Sequence, residues 1–253
     1  MTSATIEISD LGHGFGPLEV IGELGLVVEA GEVVGLVGPS GCGKSTLLEL
    51  TCGLQEPRRG RVRVAGGASA EERLASCAFM PQRDLLLPWL AAIDNASLAP
   101  RNRGASRREA RAEARPLFER FGLADFAAAR PNELSGGMRQ RVAFLRTLLA
   151  GKPVLLLDEP FAALDAITRA EMQEWLAGAL RTEARTCVLV THDVEEALYL
   201  CDRVVVLSAR PAGAVAELSP ESPRAADRDA TVTDAEFATQ RERALEALHE
   251  GSR

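Results

Sequence analysis

The feature that most constrains the fold is a glycine-rich stretch, Gly38-Pro39-Ser40-Gly41-Cys42-Gly43-Lys44-Ser45-Thr46. It follows the apolar run at residues 33–37 and precedes Leu47-Leu48-Glu49-Leu50, so it lies where a buried strand turns into a helix. Its spacing satisfies the phosphate-binding pattern G-x-x-x-x-G-K-[ST] in full. The glycines let successive backbone N–H groups face inward, and the helix N-terminus adds partial positive charge. We therefore predict a nucleoside triphosphate site in which Lys44 contacts the outer phosphates and the Ser45 hydroxyl binds magnesium.

Length and composition restrict the class of protein. A chain of 253 residues with 46% hydrophobic residues can form one large α/β domain with an inserted lobe. The formal net charge of -7 argues against a nucleic-acid surface, because duplex binding depends on Lys and Arg at the phosphates. No apolar run reaches the ~18 residues of a membrane span, and residues 1–7 do not resemble a secretory signal, so we expect a cytoplasmic chain.

Apolar runs along the chain predict the sheet. Residues 33–37, 154–157, 187–190 and 204–207 are continuously apolar rather than alternating, which is typical of parallel strands covered on both faces. Further strands are expected at residues 6–8, 24–28, 61–64 and 75–80. Between residues 83 and 149 the chain is rich in Ala, Leu, Arg and Glu, which indicates an inserted helical lobe with helices at 106–120 and 138–149. Residues 1–218 would form one domain, and 219–253 a tail with a short helix at 234–249.

An acidic pair, Asp158-Glu159, follows the run at residues 154–157. Ligands of open α/β sheets lie at the carboxyl ends of the strands, where this pair emerges. Asp158 is suited to hold hydrated magnesium, and Glu159 to orient and partly deprotonate an attacking water. A solvated loop start is the ordinary explanation for such a pair, but the upstream phosphate loop favours the catalytic one.

Several further motifs resemble those of ATP-binding-cassette (ABC) ATPases. Leu134-Ser135-Gly136-Gly137-Met138-Arg139-Gln140-Arg141 is similar to the family signature, and Gln82 matches the glutamine loop. Residues 154–160 match the second phosphate-site motif, residues 163–165 the D-loop, and His192 the switch histidine. These elements follow in the family's order over about residues 6–207. The resemblance implies a P-loop NTPase fold of the α/β class, with a mainly parallel core sheet, an antiparallel β lobe and an inserted helical lobe.

The resemblance also implies roles for individual residues. Ser135, Gly136 and Gly137 would close over ATP held by the phosphate loop of a second copy in a head-to-tail dimer, although a plain Ser N-cap explains an isolated S-G-G. His192 would contact the terminal phosphate, and Gln82 the magnesium ion and the attacking water. Phe15 lies where the family places an aromatic ring on adenine. A structural histidine, a polar loop glutamine and a core phenylalanine are the competing explanations.

One subgroup of the family is indicated by the stretch Met80-Pro81-Gln82-Arg83-Asp84-Leu85-Leu86-Leu87-Pro88-Trp89-Leu90. It resembles the coupling region of nitrate, sulfonate, taurine and pyrimidine-precursor importers. Leu86, Leu87 and Trp89 would offer an apolar socket to a permease helix, unless they pack under the loop instead. The implied protein is a peripheral ATPase subunit on the cytoplasmic side of the inner membrane, with a separate permease and an extracytoplasmic substrate-binding protein as partners.

Other functions fit the sequence less well. A soluble mechanical ATPase acting on DNA or the ribosome would carry tandem cassettes, a coiled-coil insertion or a basic face, and none is evident. A kinase or GTPase would share the phosphate loop but not the signature or His192. Cys42 leaves two interpretations open: a small residue that fits the loop, or a thiol acidified beside Lys44 whose oxidation blocks ATP binding. The transported substrate leaves no trace in an ATPase subunit.

Overall fold

The computed structural model describes residues 4–182 and 185–251. Its strands are β1 (Ile6–Phe15), β2 (Leu18–Val28), β3 (Val33–Val37), β4 (Arg59–Val64), β5 (Cys77–Met80), β6 (Val154–Asp158), β7 (Thr186–Val190), β8 (Arg203–Leu207) and β9 (Ala214–Leu218). Its helices are α1 (Lys44–Cys52), α2 (Ala70–Ser76), α3 (Ala92–Ala96), α4 (Leu98–Asn102), α5 (Arg107–Arg120), α6 (Gly136–Leu148), α7 (Ala166–Thr182), α8 (Val194–Leu200), α9 (Arg228–Val232) and α10 (Ala235–Gly251).

A six-stranded sheet forms the centre of the molecule. Its strand order is β5-β6-β7-β3-β8-β9, and every pair except β8-β9 is parallel. Strands β3, β6 and β7 are buried on both faces, as their continuous apolar runs predict. The carboxyl ends of β3, β6 and β7 therefore lie side by side, which brings the phosphate loop, the acidic pair and the switch histidine to one edge.

A second, antiparallel sheet has the order β2-β1-β4. Strands β1 and β2 form a hairpin much longer than the predicted segments, because its irregular register lets the pairing continue to Phe15 and Leu18. Together with the first sheet, this confirms the predicted α/β fold with a parallel core and an antiparallel β lobe.

Helices α3 to α6 occupy the interval predicted to be an inserted helical lobe. Ser106 and Glu109 form a capping box at the start of α5, which explains the predicted start of that helix. Asp94, only 1% exposed, accepts paired hydrogen bonds from Arg107 and Arg111 at 2.6–3.1 Å, so α3 and α5 are tied by a buried carboxylate. These two guanidinium groups hold the pKa of Asp94 well below its usual range.

Two differences from the predicted elements have local causes. The strand predicted over residues 75–80 begins only at Cys77, because a capping box at Ser69 and Glu72 starts α2, which continues through Ala75 and Ser76. The predicted tail helix extends over Ala235–Gly251 and packs on α8, β8 and β9 with Phe237 and Ala244 buried. The division into a domain over 1–218 and a tail over 219–253 stays a prediction.

All five cysteines are buried and unpaired. Burial raises the pKa of the Cys77 and Cys187 thiols to about 12, which keeps them neutral and inert at physiological pH. Separately, none of the helices among the described residues is long and apolar enough to cross a membrane.

Candidate nucleotide site

The phosphate loop joins β3 to α1 as predicted. Gly43 precedes the helix at a φ of 123°, and a Cβ there would lie 2.8 Å from Val20 Cγ1, so the loop requires glycine at this position on both counts. Lys44 is 7% exposed, and its ammonium group donates to the carbonyls of Gly38 (2.8 Å) and Pro39 (2.9 Å). The ammonium group therefore lies inside the loop, where it is held by two carbonyls at the start of the loop.

Asp158 ends β6 with its side chain only 3% exposed. Burial raises the pKa of its carboxyl, and hydrogen bonding with the Ser45 hydroxyl acts in the opposite direction. A hydroxyl and a carboxylate are the hard oxygen ligands that magnesium prefers, and its remaining positions are usually filled by phosphates and water. Within the two described ranges no three acidic, His or Cys side chains form a group that could hold a metal ion. Ser45 and Asp158 fit the predicted metal site.

Glu159 lies where three predicted catalytic side chains converge. Its Oε2 accepts a hydrogen bond from Gln82 Nε2 at 3.1 Å and lies 3.5 Å from His192 Nδ1. Its backbone has a φ of +47°, an uncommon conformation for a residue with a side chain and a frequent one at functional sites. The structure thus brings Gln82, Glu159 and His192 together at the carboxyl edge, as a group that can hold and polarise a water molecule.

The signature residues begin α6. Ser135 is its N-cap, and its hydroxyl accepts a hydrogen bond from the Met138 N–H at 3.2 Å. Ser135 and Gly136 are exposed, and a Cβ at Gly137 would lie 3.4 Å from the Ala163 carbonyl, so the signature lies against the D-loop. Among the described residues, no hydrogen bond or ion pair joins Ser135, Gly136 or Gly137 to the phosphate loop of the same chain.

Phe15 ends β1 and is 50% exposed, so the competing explanation of a core phenylalanine is wrong. Its ring packs edge-to-face against His13 at a centroid distance of 5.2 Å. The side chain of Phe15 remains accessible for a planar ligand.

Only part of the predicted apolar socket is exposed in the structure. Trp89 is 67% exposed, as the socket requires. Leu86 is only 8% exposed and packs in the core, so the prediction that Leu86 lines the socket is wrong. Leu87 is half-buried, and its backbone is held by Asn95, which accepts from the Leu87 N–H and donates to its carbonyl. Leu85, at a φ of +44°, is 55% exposed instead.

Sequence reasoning missed several residues next to the site. Gln140 Nε2 donates to the Glu159 carbonyl at 3.3 Å, which links the signature helix to the catalytic edge. Glu196, 4% exposed on α8, accepts a hydrogen bond from Gln173 at 3.1 Å, and the Thr191 hydroxyl beside His192 acts to lower the pKa of its carboxyl. The Asp193 N-cap predicts the start of α8 and puts Glu196 in its first turn, but it does not show that this side chain is buried.

Comparisons with known proteins show which chains this one is similar to. A family model described as ABC transporter matches residues 21–162. The aliphatic sulfonates import ATP-binding protein of Rhodococcus jostii is 46% identical over 203 residues, which are 80% of this chain and 79% of the relative. The formylaminopyrimidine import ATP-binding protein of Halalkalibacterium halodurans is 44% identical over 192 residues, 76% of this chain and 74% of the relative.

A solved structure extends the likeness to three dimensions. It is the dimeric post-hydrolysis state of an ATP-binding cassette bound to ADP and Pi, with a TM-score of 0.78 and 29% sequence identity. The match covers 86% of this chain and 99% of the solved one.

Proposed function

The chain belongs to the ABC transporter family, and we propose on this premise that it is the ATP-hydrolysing subunit of an importer for a small nutrient. The observation that carries the proposal is the convergence of Gln82 and His192 on the Glu159 carboxylate at the end of β6, which is separated by β7 alone from β3 and its phosphate loop. Relatives named for aliphatic sulfonates and for formylaminopyrimidine support a small organic or anionic cargo.

The residues divide the reaction between them. The phosphate loop, from Gly38 to Thr46, would surround the β- and γ-phosphates with backbone N–H groups. The Lys44 ammonium group would exchange its hydrogen bonds to two loop carbonyls for bonds to phosphate oxygens. Magnesium, held by Ser45 and Asp158 and approached by Gln82, would neutralise charge on the phosphates. Glu159 would accept a proton from the attacking water, and Gln82 would keep that carboxylate in place. His192 would contact the terminal phosphate.

A second copy of the chain would complete the site. Ser135, Gly136 and Gly137 are exposed or half-buried at the start of a 13-residue helix, so they offer a hydroxyl, free N–H groups and a helix dipole. Since they make no hydrogen bond to their own phosphate loop within the described part of the chain, a partner's ATP is the ligand we assign to them. The dimeric solved relative supports this arrangement.

Coupling to transport would take place at the exposed residues beside Gln82. Leu85 and Trp89 are exposed apolar side chains in the segment that follows Gln82, which contacts the catalytic carboxylate. A permease helix seated there would sense the state of the site, and the chain would be held at the membrane by that permease. A substrate-binding protein outside the membrane would deliver the cargo.

Two variants of the full chain test the proposal. Glu159→Gln keeps the shape of the side chain but not its basicity, so ATP should still bind while turnover falls by at least about 100-fold. Ser135→Arg should leave ATP binding intact and abolish hydrolysis, because the block lies at the dimer contact. Binding is measured with a fluorescent ATP analogue and turnover by phosphate release. Normal turnover in Glu159→Gln would contradict the role of the base, and normal turnover in Ser135→Arg would contradict the shared site.

A further inference from the structure

A line of buried polar contacts lies beneath the switch histidine and is not used by the reaction described above. Thr191, directly before His192, is 2% exposed, and its hydroxyl accepts the Asp193 N–H at 3.0 Å. The same hydroxyl lies close enough to Glu196 to act on its carboxyl as a hydrogen-bond partner that lowers the pKa. A carboxylate can only accept, so an ionised Glu196 favours a Thr191 hydroxyl that points its hydrogen at Glu196 while its oxygen accepts the Asp193 N–H, on the two sides of His192.

Glu196 is held in turn from α7. Gln173, 1% exposed, donates from Nε2 to Glu196 Oε2 at 3.1 Å. The positive charge of Arg169, on the same helix, lowers the pKa of the Glu196 carboxyl. Arg169 also donates a hydrogen bond from Nη2 to the Leu164 carbonyl of the D-loop at 3.1 Å. The carboxylate therefore joins the switch loop to the helix that follows the D-loop.

The C-terminal segment reaches this carboxylate through Gln173. Arg228 Nε donates to Gln173 Oε1 at 2.9 Å. An arginine can only donate, so this bond turns the amide oxygen of Gln173 towards Arg228 and its NH2 group towards Glu196. Arg228 is itself positioned by its packing over the Tyr199 ring, whose hydroxyl donates to the Ala225 carbonyl.

We propose that Glu196 is a positioning residue for His192 and that Arg228, through Gln173, lets the C-terminal segment set the geometry of the switch loop. This inference rests on the proposed function of His192. The hydrogen bond from Gln173 favours an ionised Glu196. An ionised Glu196 in turn favours a Thr191 hydroxyl that donates to it and accepts the Asp193 N–H. Loss of Arg228 frees the amide of Gln173 to rotate and present its oxygen to the carboxylate, which disfavours the ionised form.

Charged groups act on Glu196 from the start of its own helix and from α7, and one acts indirectly from α9. Asp193 precedes it on α8, Arg169 lies on α7, and Arg228 acts from α9 through Gln173. Burial dominates these influences and raises the pKa of Glu196 to about 7. Changes in this environment therefore alter the ionised fraction of Glu196 within the range accessible to a kinetic measurement.

The first test is spectroscopic and does not depend on turnover. The chain has three histidines, so the imidazole Cε1–Hε1 cross-peak of His192 can be assigned in the full-length protein with one variant. At pH 8, Glu196→Gln and Arg228→Ala should move this cross-peak. The matched controls Glu174→Gln and Arg243→Ala, which change exposed residues on α7 and α10, should leave it unchanged. An unmoved cross-peak in Glu196→Gln would overturn the proposal, and an unmoved one in Arg228→Ala would overturn the link to the C-terminal segment.

The second test is kinetic. At pH 8 and saturating ATP, Glu196→Gln should lower kcat about tenfold with KM changed less than twofold, because His192 acts on the transition state rather than on ATP binding. The kcat of the parent protein should fall as pH decreases through about 7, and in Arg228→Ala the midpoint of that fall should lie at least half a pH unit higher. An unchanged kcat in Glu196→Gln would refute the positioning role, and the same midpoint in Arg228→Ala and Arg243→Ala would refute the link to the C-terminal segment. Failure of the proposed function would show differently, as full turnover in Glu159→Gln.

Discussion

A buried carboxylate with a raised pKa reduces the stability of the folded protein at neutral and alkaline pH, and Glu196 provides a quantitative case. Its pKa is raised from 4.5 to about 7, chiefly by burial. The folded protein therefore retains a proton that the unfolded chain releases between these pH values, so the free energy of unfolding falls as pH rises from about 4.5 to about 7. At about 1.4 kcal/mol per pH unit, the loss amounts to about 3 kcal/mol at pH 8 and about 1 kcal/mol at pH 5.

Glu196→Gln isolates this contribution, because the amide keeps the size of the side chain and cannot ionise. We expect the free energy of unfolding of the variant, relative to the parent protein, to increase by about 2.5 kcal/mol between pH 5 and pH 8. Urea unfolding at both pH values, followed by circular dichroism, measures the difference directly. Glu174→Gln is the matched control on an exposed carboxylate, and its effect should stay within about 0.5 kcal/mol at either pH.

The reasoning would be refuted by a difference between parent and Glu196→Gln that is the same at pH 5 and pH 8. That result would mean that Glu196 is not desolvated in the folded protein. The expected result has a functional meaning as well: a residue that lowers stability by this amount and lowers turnover when replaced is retained for its role at the site.

Three further predictions follow from the structure. Asp94→Asn should lower the free energy of unfolding by about 2 kcal/mol, because two arginines lose a buried carboxylate but are themselves partly exposed. This loss should persist from pH 8 down to pH 4 in urea unfolding, since a carboxyl with a depressed pKa loses its stabilising charge only below its ordinary range; a loss that disappears by pH 6 would contradict the ion pairs. Phe15→Ala should weaken binding of a fluorescent ATP analogue by about fivefold or more, because base stacking on an aromatic ring contributes about 1–3 kcal/mol, whereas Phe15→Tyr should bind normally; equal affinity of all three proteins would exclude stacking. Trp89→Ala should leave the unfolding midpoint and the hydrolysis rate of the isolated subunit unchanged, because this side chain is 67% exposed, and should reduce hydrolysis stimulated by the permease in vesicles; unchanged stimulation would place the permease contact elsewhere.

Several features could be predicted from short, contiguous stretches of sequence. The turn from β3 into α1 depends on glycines and on a lysine at fixed spacing, and the parallel core strands depend on continuous apolar runs. The start of α5 depends on the Ser106 capping box. Each of these follows from backbone conformation and local burial, so no knowledge of distant residues is needed.

Interactions between distant residues were decided by the tertiary structure. Leu86 and Trp89 are both large and apolar within one loop, yet only the packing of that loop on α3 determines that the first is buried and the second exposed. Likewise, Glu196 resembles any acidic residue in the first turn of a helix until α7 and the C-terminal segment surround it.

The candidate site shows the same division. The identities of Gln82, Glu159 and His192 could be predicted from sequence motifs, because each follows a strand that can be recognised by itself. Their convergence could not, since Gln82 and Glu159 are 77 residues apart in the chain and meet only because β5 and β6 are neighbours in the sheet. The sequence by itself determined which residues are available for phosphate chemistry. The tertiary structure decided their distances and their burial, because both depend on how strands far apart in sequence pair.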